Sequence, residues 1–198
     1  EQQLEAVMAS SVDLFACGIG APRPAVDKAK ELGKTTAALI GSPRHVRKAL
    51  ASGVDMIVAQ GAEAGAHTGT IGTFTLVPQI VDACAGLPVL AAGGVATGRH
   101  VAASLALGAQ AVWAGTIWLT TTEHTAHMAP GLVDKLLAAS SADTIITRSE
   151  SGKTMRQIRS SWSDEWDAAD APAPLKMPYQ DVLVGDLLGA IDEHQVMP

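Results

Sequence analysis

Short, almost unbroken apolar runs recur between Leu14 and Ala114, each closed by glycine and followed by a stretch with helical spacing. Leu14 to Gly18 runs into Gly18-Ile19-Gly20-Ala21-Pro22, and Ala25 to Leu32 then carries an amphipathic pattern up to Gly33. Thr35 to Ile40 is the second run. Gly41-Ser42-Pro43 opens the next helix, with Ser42 as expected N-cap and Pro43 at the first helical position, and Gly53 stops it. Met56 to Ala59, Pro88 to Ala92 and Ala111 to Ala114 complete the series, with helices expected over Leu76 to Cys84 and Gly98 to Leu107. Strands that are apolar throughout, rather than alternating, are parallel strands covered on both faces. The chain is therefore α/β, either a barrel or a doubly wound sheet.

Glycines and polar residues gathered at strand ends favour the TIM (β/α)8 barrel, whose late strand ends form phosphate sites. Such a barrel needs eight units, whereas five strands precede a tail of different pattern. The expectation is that residues 1–122 are the C-terminal five βα units of a barrel, entered through a helix over Glu1 to Val12, with three units upstream. Residues 123–198 are expected to form a helical C-terminal extension packing on it. Within that extension Leu132 to Ala139, Thr154 to Trp166 and Pro178 to Ile191 read as helices, and Asp143 to Arg148 as a short strand or loop. A smaller open sheet is the competing fold.

Composition narrows the function. With 198 residues and a net charge of -6, the chain is not a basic nucleic-acid binder, and 47% hydrophobic residues can fill a sizeable core. No apolar stretch of about 18 residues offers a membrane span, and the start lacks a signal-peptide pattern. Cys17 and Cys84, far apart in apolar sequence, read as small buried hydrophobes rather than a disulfide or metal pair. These features point to a reduced, cytoplasmic setting and small-molecule partners, with no nucleic acid, membrane or metal, and are compatible with a homo-oligomer.

The chemistry is concentrated in three loops. Ala59-Gln60-Gly61-Ala62-Glu63-Ala64-Gly65-Ala66-His67-Thr68-Gly69 follows a buried strand and holds an amide, a carboxylate and an imidazole among its glycines. Glycine lets backbone approach a flat ligand, and a histidine moves protons near neutrality. His67 either carries that role or merely hydrogen-bonds the loop, and Glu63 reads as a brace for the turn. Ala91-Ala92-Gly93-Gly94-Val95 and Trp113-Ala114-Gly115-Thr116 then present backbone N–H groups at consecutive strand ends, where a phosphate can sit without an arginine. His45, His100, His124, His127 and His194 read as surface residues. Trp162 and Trp166 read as packing, and Arg148, Lys153, Arg156 and Arg159 as a solvated helix face, with contact to an anionic thioester carrier as the alternative.

In this order and spacing, Gln60-Gly61-x-Glu63-Ala64-Gly65-x-His67, Ala92-Gly93-Gly94-Val95 and Gly115-Thr116 resemble the nitronate monooxygenases, over roughly residues 10 to 125. The elements are shared with flavin-dependent enoyl-acyl-carrier-protein reductases. The resemblance implies an FMN-containing TIM barrel that oxidises alkyl nitronates with dioxygen. It implies Gln60 and Gly65 beside the flavin, Gly93, Gly94, Trp113, Ala114, Gly115 and Thr116 as the phosphate grip, and His67 as the catalytic histidine. Ala66 stands where the family usually has glycine, and Ile117-Trp118 replace the commoner Arg-Phe. Two alternatives stay open: an FMN-dependent reductase or dehydrogenase acting on CoA or carrier-protein thioesters, and an inactive truncated half-barrel.

Overall fold

The computed structural model describes residues 2–18, 20–84, 86–125, 128 and 130–194. In chain order it begins with α1 (Gln2–Ala9), β1 (Leu14–Cys17), α2 (Arg23–Glu31), β2 (Thr35–Ile40), α3 (Val46–Ala51) and β3 (Met56–Gln60). It continues through β4 (Ala66–His67), α4 (Thr73–Ala83), β5 (Val89–Ala92), α5 (Gly98–Ala106) and β6 (Ala111–Trp113). The later elements are α6 (Thr122–Thr125), α7 (Pro130–Ala138), β7 (Thr144–Thr147), β8 (Met155–Ile158), α8 (Ser161–Asp167) and α9 (Tyr179–His194). The chain divides into two compact units: one holds residues up to Ala64 together with Gly69–Ala114, the other Gly65–Thr68 together with the chain from Gly115 on.

The first unit is a five-stranded sheet in the order β1-β2-β3-β5-β6, parallel throughout. Neighbours in the sheet follow one another along the chain with no reversal of direction. A doubly wound sheet would switch sides at one point, so the order is that of a TIM (β/α) barrel. The doubly wound alternative falls on this observation.

Alternation along the strands separates two apolar layers. On one face Ile57, Ala59, Val89 and Ala91 pack with Val26 of α2 and Leu76, Val77 and Ile80 of α4. Ile57, Leu76 and Ile80 are fully buried, each contributing roughly 1.5–3 kcal/mol of transfer free energy. On the other face Ala37, Val58 and Ala92 form a thinner layer with Ala16, Leu39, Met56, Leu90 and Trp113. Of this layer only Ala37, Val58 and Ala92 are buried, and the larger Leu39, Met56, Leu90 and Trp113 are partly buried.

Helix entry differs in detail from the sequence reading. Ser42 precedes a 3-10 turn at Pro43–His45, and its side chain makes no capping bond. At α5, Thr97 is the N-cap, and His100 Nδ1 accepts from the backbone amides of Ala96 and Thr97, at 3.1 and 3.2 Å. That gives this imidazole a structural task. Cys17 and Cys84 are buried and unbridged, and burial pushes both thiols up in pKa.

The second unit corrects the reading of the tail as helical. Residues 154–166 are not one helix: β8 occupies Met155–Ile158, and α8 begins only at Ser161, capped by Ser160. β8 is the middle of an antiparallel sheet, β4-β8-β7. Arg148, Lys153, Arg156 and Arg159 consequently line no helix. Arg148 Nε donates to the Gly152 carbonyl, Arg156 Nη1 to Thr144 Oγ1, and Arg159 pairs with Asp164. Trp162 and Trp166 pack against each other with centroids 5.7 Å apart, as expected of packing residues. The division after Ala114, rather than at residue 122, places Gly115–Thr122 with this unit. His127 lies outside the described residues.

Candidate active site

In the first unit the carboxyl ends of three adjacent strands come together. Gln60 at the end of β3 is in register with Ala92 of β5, and Ala92 with Trp113 of β6. Gly93-Gly94 leaves β5 at this edge, and Ala114 follows β6. Five of the predicted residues, Gln60, Gly93, Gly94, Trp113 and Ala114, therefore share one edge of the sheet. Trp113 is half-buried in the inner apolar layer.

The Gly93-Gly94 turn can be made only by glycine. Both residues have positive φ, +99° and +72°, and a Cβ at Gly93 would stand 2.8 Å from the Ala64 amide nitrogen and 3.0 Å from the Gly61 carbonyl. The loop after β3 and the loop after β5 are thus in backbone contact. Glu63 holds this arrangement: one carboxylate oxygen accepts from Thr73 N at 2.8 Å and Thr73 Oγ1 at 2.9 Å. The N-cap of α4, Gly72, has no side chain to offer its first amides, so a carboxylate from the preceding loop caps the helix and favours its positive end. Thr73 Oγ1 also lies 2.9 Å from the Gly93 carbonyl. The bracing role expected of Glu63 is the one seen.

In the second unit lie the remaining four, Gly65, His67, Gly115 and Thr116. Gly65 is beside Thr116, whose Oγ1 would be 3.5 Å from a Cβ built on the glycine. Gly115 and Thr116 open a 3-10 turn ending at Trp118, and Trp118 is exposed. His67 is fixed through backbone and side chain. As part of β4 it is paired with Met155 of β8, and its Nε2 lies 2.6 Å from Ser151 Oγ. Ala66 takes φ +61°, a conformation that glycine would adopt freely and alanine does not.

Ser151 was not among the residues singled out from sequence. It sits in the turn between β7 and β8 and is 4% exposed. Burial raises the neighbouring Glu150 carboxyl above its ordinary range, and the charge of Asp181 adds to that. The only pointer in the sequence is Ser149-Glu150-Ser151-Gly152, a string of turn-forming residues. Among the described residues, no group of three or more His, Cys, Asp or Glu could hold a metal ion. None of the described helices is long and apolar enough to cross a membrane.

The model of one family, described as nitronate monooxygenase, matches residues 1–195. The chain belongs to the nitronate monooxygenase family. It is 50% identical over 184 residues to a Mycobacterium tuberculosis protein named as a monooxygenase, an alignment covering 92% of this chain and 48% of that one. Against a Bacillus subtilis protein named as a nitronate monooxygenase, identity is 38% over 180 residues, 85% of this chain and 51% of that one. The chain thus spans about half the length of the curated relatives it matches. Among solved structures, FabK from Thermotoga maritima superposes with a TM-score of 0.77 at 30% identity, covering 96% of this chain and 60% of that one. A nitroalkane oxidase from Streptomyces ansochromogenes gives 0.77 at 27% identity, with 97% and 57% covered. Membership in the nitronate monooxygenase family carries with it a flavin cofactor.

Proposed function

We propose that this chain supplies the base and part of the cofactor cradle of an FMN-dependent nitronate monooxygenase. The reaction oxidises alkyl nitronates, or the nitroalkanes that ionise to them, with dioxygen to carbonyl compounds and nitrite. The observation that carries the reading is the immobilised His67, directly after a glycine-rich strand end, in a chain of this family.

The residues present suit an FMN. Two successive positive-φ glycines bare the backbone at the end of β5, and the space a Gly93 side chain would need is already taken. The Gly93 contacts are to the protein's own loop, and what they leave for a flat ring edge or a phosphate is a strand end with no side chains at residues 93 and 94. By resemblance to the family, Gln60 and Gly65 would contact a bound flavin, and Gly115 and Thr116 its phosphate. A bound flavin would supply the electron transfer from the carbon acid to dioxygen. His67 removes the α-proton of a neutral nitroalkane, or holds the anionic nitronate when the substrate arrives ionised.

His67→Asn is expected to keep FMN and lose turnover of neutral nitroalkanes. Unchanged turnover would remove His67 from the mechanism. A colourless protein that cannot be reconstituted with FMN would instead support the inactive half-barrel. The structural likeness to FabK, equal in TM-score to that of the nitroalkane oxidase, favours one second reading, a flavin reductase acting on CoA or carrier-protein thioesters. Anaerobic mixing separates the two. Fast reduction by NAD(P)H favours the reductase, and reduction by a nitronate alone favours the monooxygenase.

A further inference from the structure

We infer that Ser151 is the positioning residue of His67, keeping a hydrogen bond to its Nε2 whether the imidazole is neutral or protonated. The inference rests on the reading of His67 as the base. It starts from the 2.6 Å separation of Ser151 Oγ and His67 Nε2, across 84 residues of sequence. A hydroxyl can both donate and accept, unlike a carboxylate or an ammonium. Toward a neutral imidazole with an unprotonated Nε2, Ser151 donates. Toward an imidazolium, Nε2–H donates and the hydroxyl hydrogen must turn elsewhere. The structure holds acceptors for it: the Lys153 carbonyl at 3.4 Å and Met155 Sδ at 4.0 Å. Lys153 N, at 3.3 Å, donates to the same oxygen in either state. The oxygen therefore stays in place while its hydrogen changes direction.

Ser151 can hold the ring only if its own turn is held, and the turn is anchored on several sides. The Gly152 amide donates to the Arg148 carbonyl at 2.9 Å, and Arg148 Nε returns to the Gly152 carbonyl at 2.9 Å. Gly152, at φ +73°, lies so close to Leu175 and Met177 that a Cβ there would meet the Leu175 carbonyl and stand 2.8 Å from the Met177 amide nitrogen. Gln180 of α9, wholly buried, donates from Nε2 to the Ser149 carbonyl at 2.7 Å and accepts from Leu175 N at 2.9 Å. A fully buried amide bonded on both sides fixes a turn far more firmly than an exposed one. The order of support runs from α9 to the turn, from the turn to Ser151, and from Ser151 to the ring.

The test uses the FMN-loaded protein and three variants, Ser151→Ala, Ser151→Thr and His67→Asn. Ser151→Ala is expected to lower kcat for a neutral nitroalkane about ten- to a hundred-fold, since small misplacements of a reacting group cost rate on this scale. FMN content should change less than threefold, the rate with pre-formed nitronate should fall less than that with the neutral nitroalkane, and Ser151→Thr should restore most of the loss. Separately, ring-nitrogen NMR of His67 in the ligand-free protein should show one dominant tautomer in the native chain and a mixture in Ser151→Ala. Identical His67 spectra, or a Ser151→Ala enzyme with native kcat and pH profile, would overturn the assignment. If His67→Asn also keeps its full rate with neutral nitroalkane, the base reading fails instead, and the NMR result alone still decides whether Ser151 positions the ring.

Discussion

Replacing Gly93 by alanine should cost much more than the same change at Gly53, although both glycines lie at positive φ, +99° and +76°. At Gly53 nothing lies within 4 Å of an added Cβ, so only the backbone is at issue. Holding alanine in a left-handed conformation costs about 1–2 kcal/mol, and stiffening the unfolded chain returns about 0.4–1 kcal/mol. The net loss for Gly53→Ala is then about 0–1.5 kcal/mol. At Gly93 the methyl must also displace the Ala64 amide at 2.8 Å and the Gly61 carbonyl and Thr73 Oγ1, each at 3.0 Å. Two of those neighbours are backbone, and Thr73 is tied to Glu63. Overpacking of this kind costs about 1–3 kcal/mol more. Urea unfolding of both variants beside the native protein, followed by far-ultraviolet circular dichroism, measures the difference. Flavin absorbance should drop in Gly93→Ala and persist in Gly53→Ala. If the two variants unfold within about 0.5 kcal/mol of each other, the tight contact of the two loops is not there, since that is below the smallest overpacking cost.

Other expectations concern single sites. Ala66→Gly should raise stability by up to about 1.5 kcal/mol, because glycine relieves the φ +61° conformation at an entropic cost smaller than the strain; a clear loss in the same denaturation assay would contradict this. Burial alone would push the Asp55 carboxyl up, but hydrogen bonds from Lys30 and from the side chain and amide of Thr36 outweigh it and hold the group below its ordinary value. That stability is present above about pH 4 and lost as pH falls toward the depressed value, so Asp55→Asn should flatten the acid limb of a stability-versus-pH curve. Glu150 works in the opposite sense. Its raised carboxyl means that stability falls as pH rises from about 4 through the shifted value, and Glu150→Gln should remove that decline. Gln180→Ala should strip the side-chain partner from the buried Ser149 carbonyl and from the Leu175 amide, at about 1–3 kcal/mol for the buried carbonyl, with faster hydrogen exchange in the turn between β7 and β8.

The parallel sheet was legible in the sequence because buried parallel strands carry apolar residues on both faces. Met56-Ile57-Val58-Ala59 has no other economical reading. β8 was not legible. Met155-Arg156-Gln157-Ile158 consists largely of residues with good helix propensity, and the strand exists through its four-residue pairing with β7 and its two-residue pairing with Ala66-His67, far away in sequence. The same distance explains the candidate site. His67 announces itself through its glycine-rich surroundings, and Glu63 through its position in the loop. Ser151 has only the local signature of a turn, and its role depends on a contact across 84 residues. The shift of the tail's boundary to Gly115 has a similar cause, since spacing along the chain does not report which body a short connector joins.

β4 is only two residues long, yet it carries the imidazole into the sheet of the second unit, while the chain up to Ala64 and from Gly69 to Ala114 belongs to the first. Fraying of that small sheet would silence the histidine while the parallel strands stayed intact. A damaged variant of this kind would pass every bulk assay of foldedness, and its defect would surface only at the one proton it was meant to move.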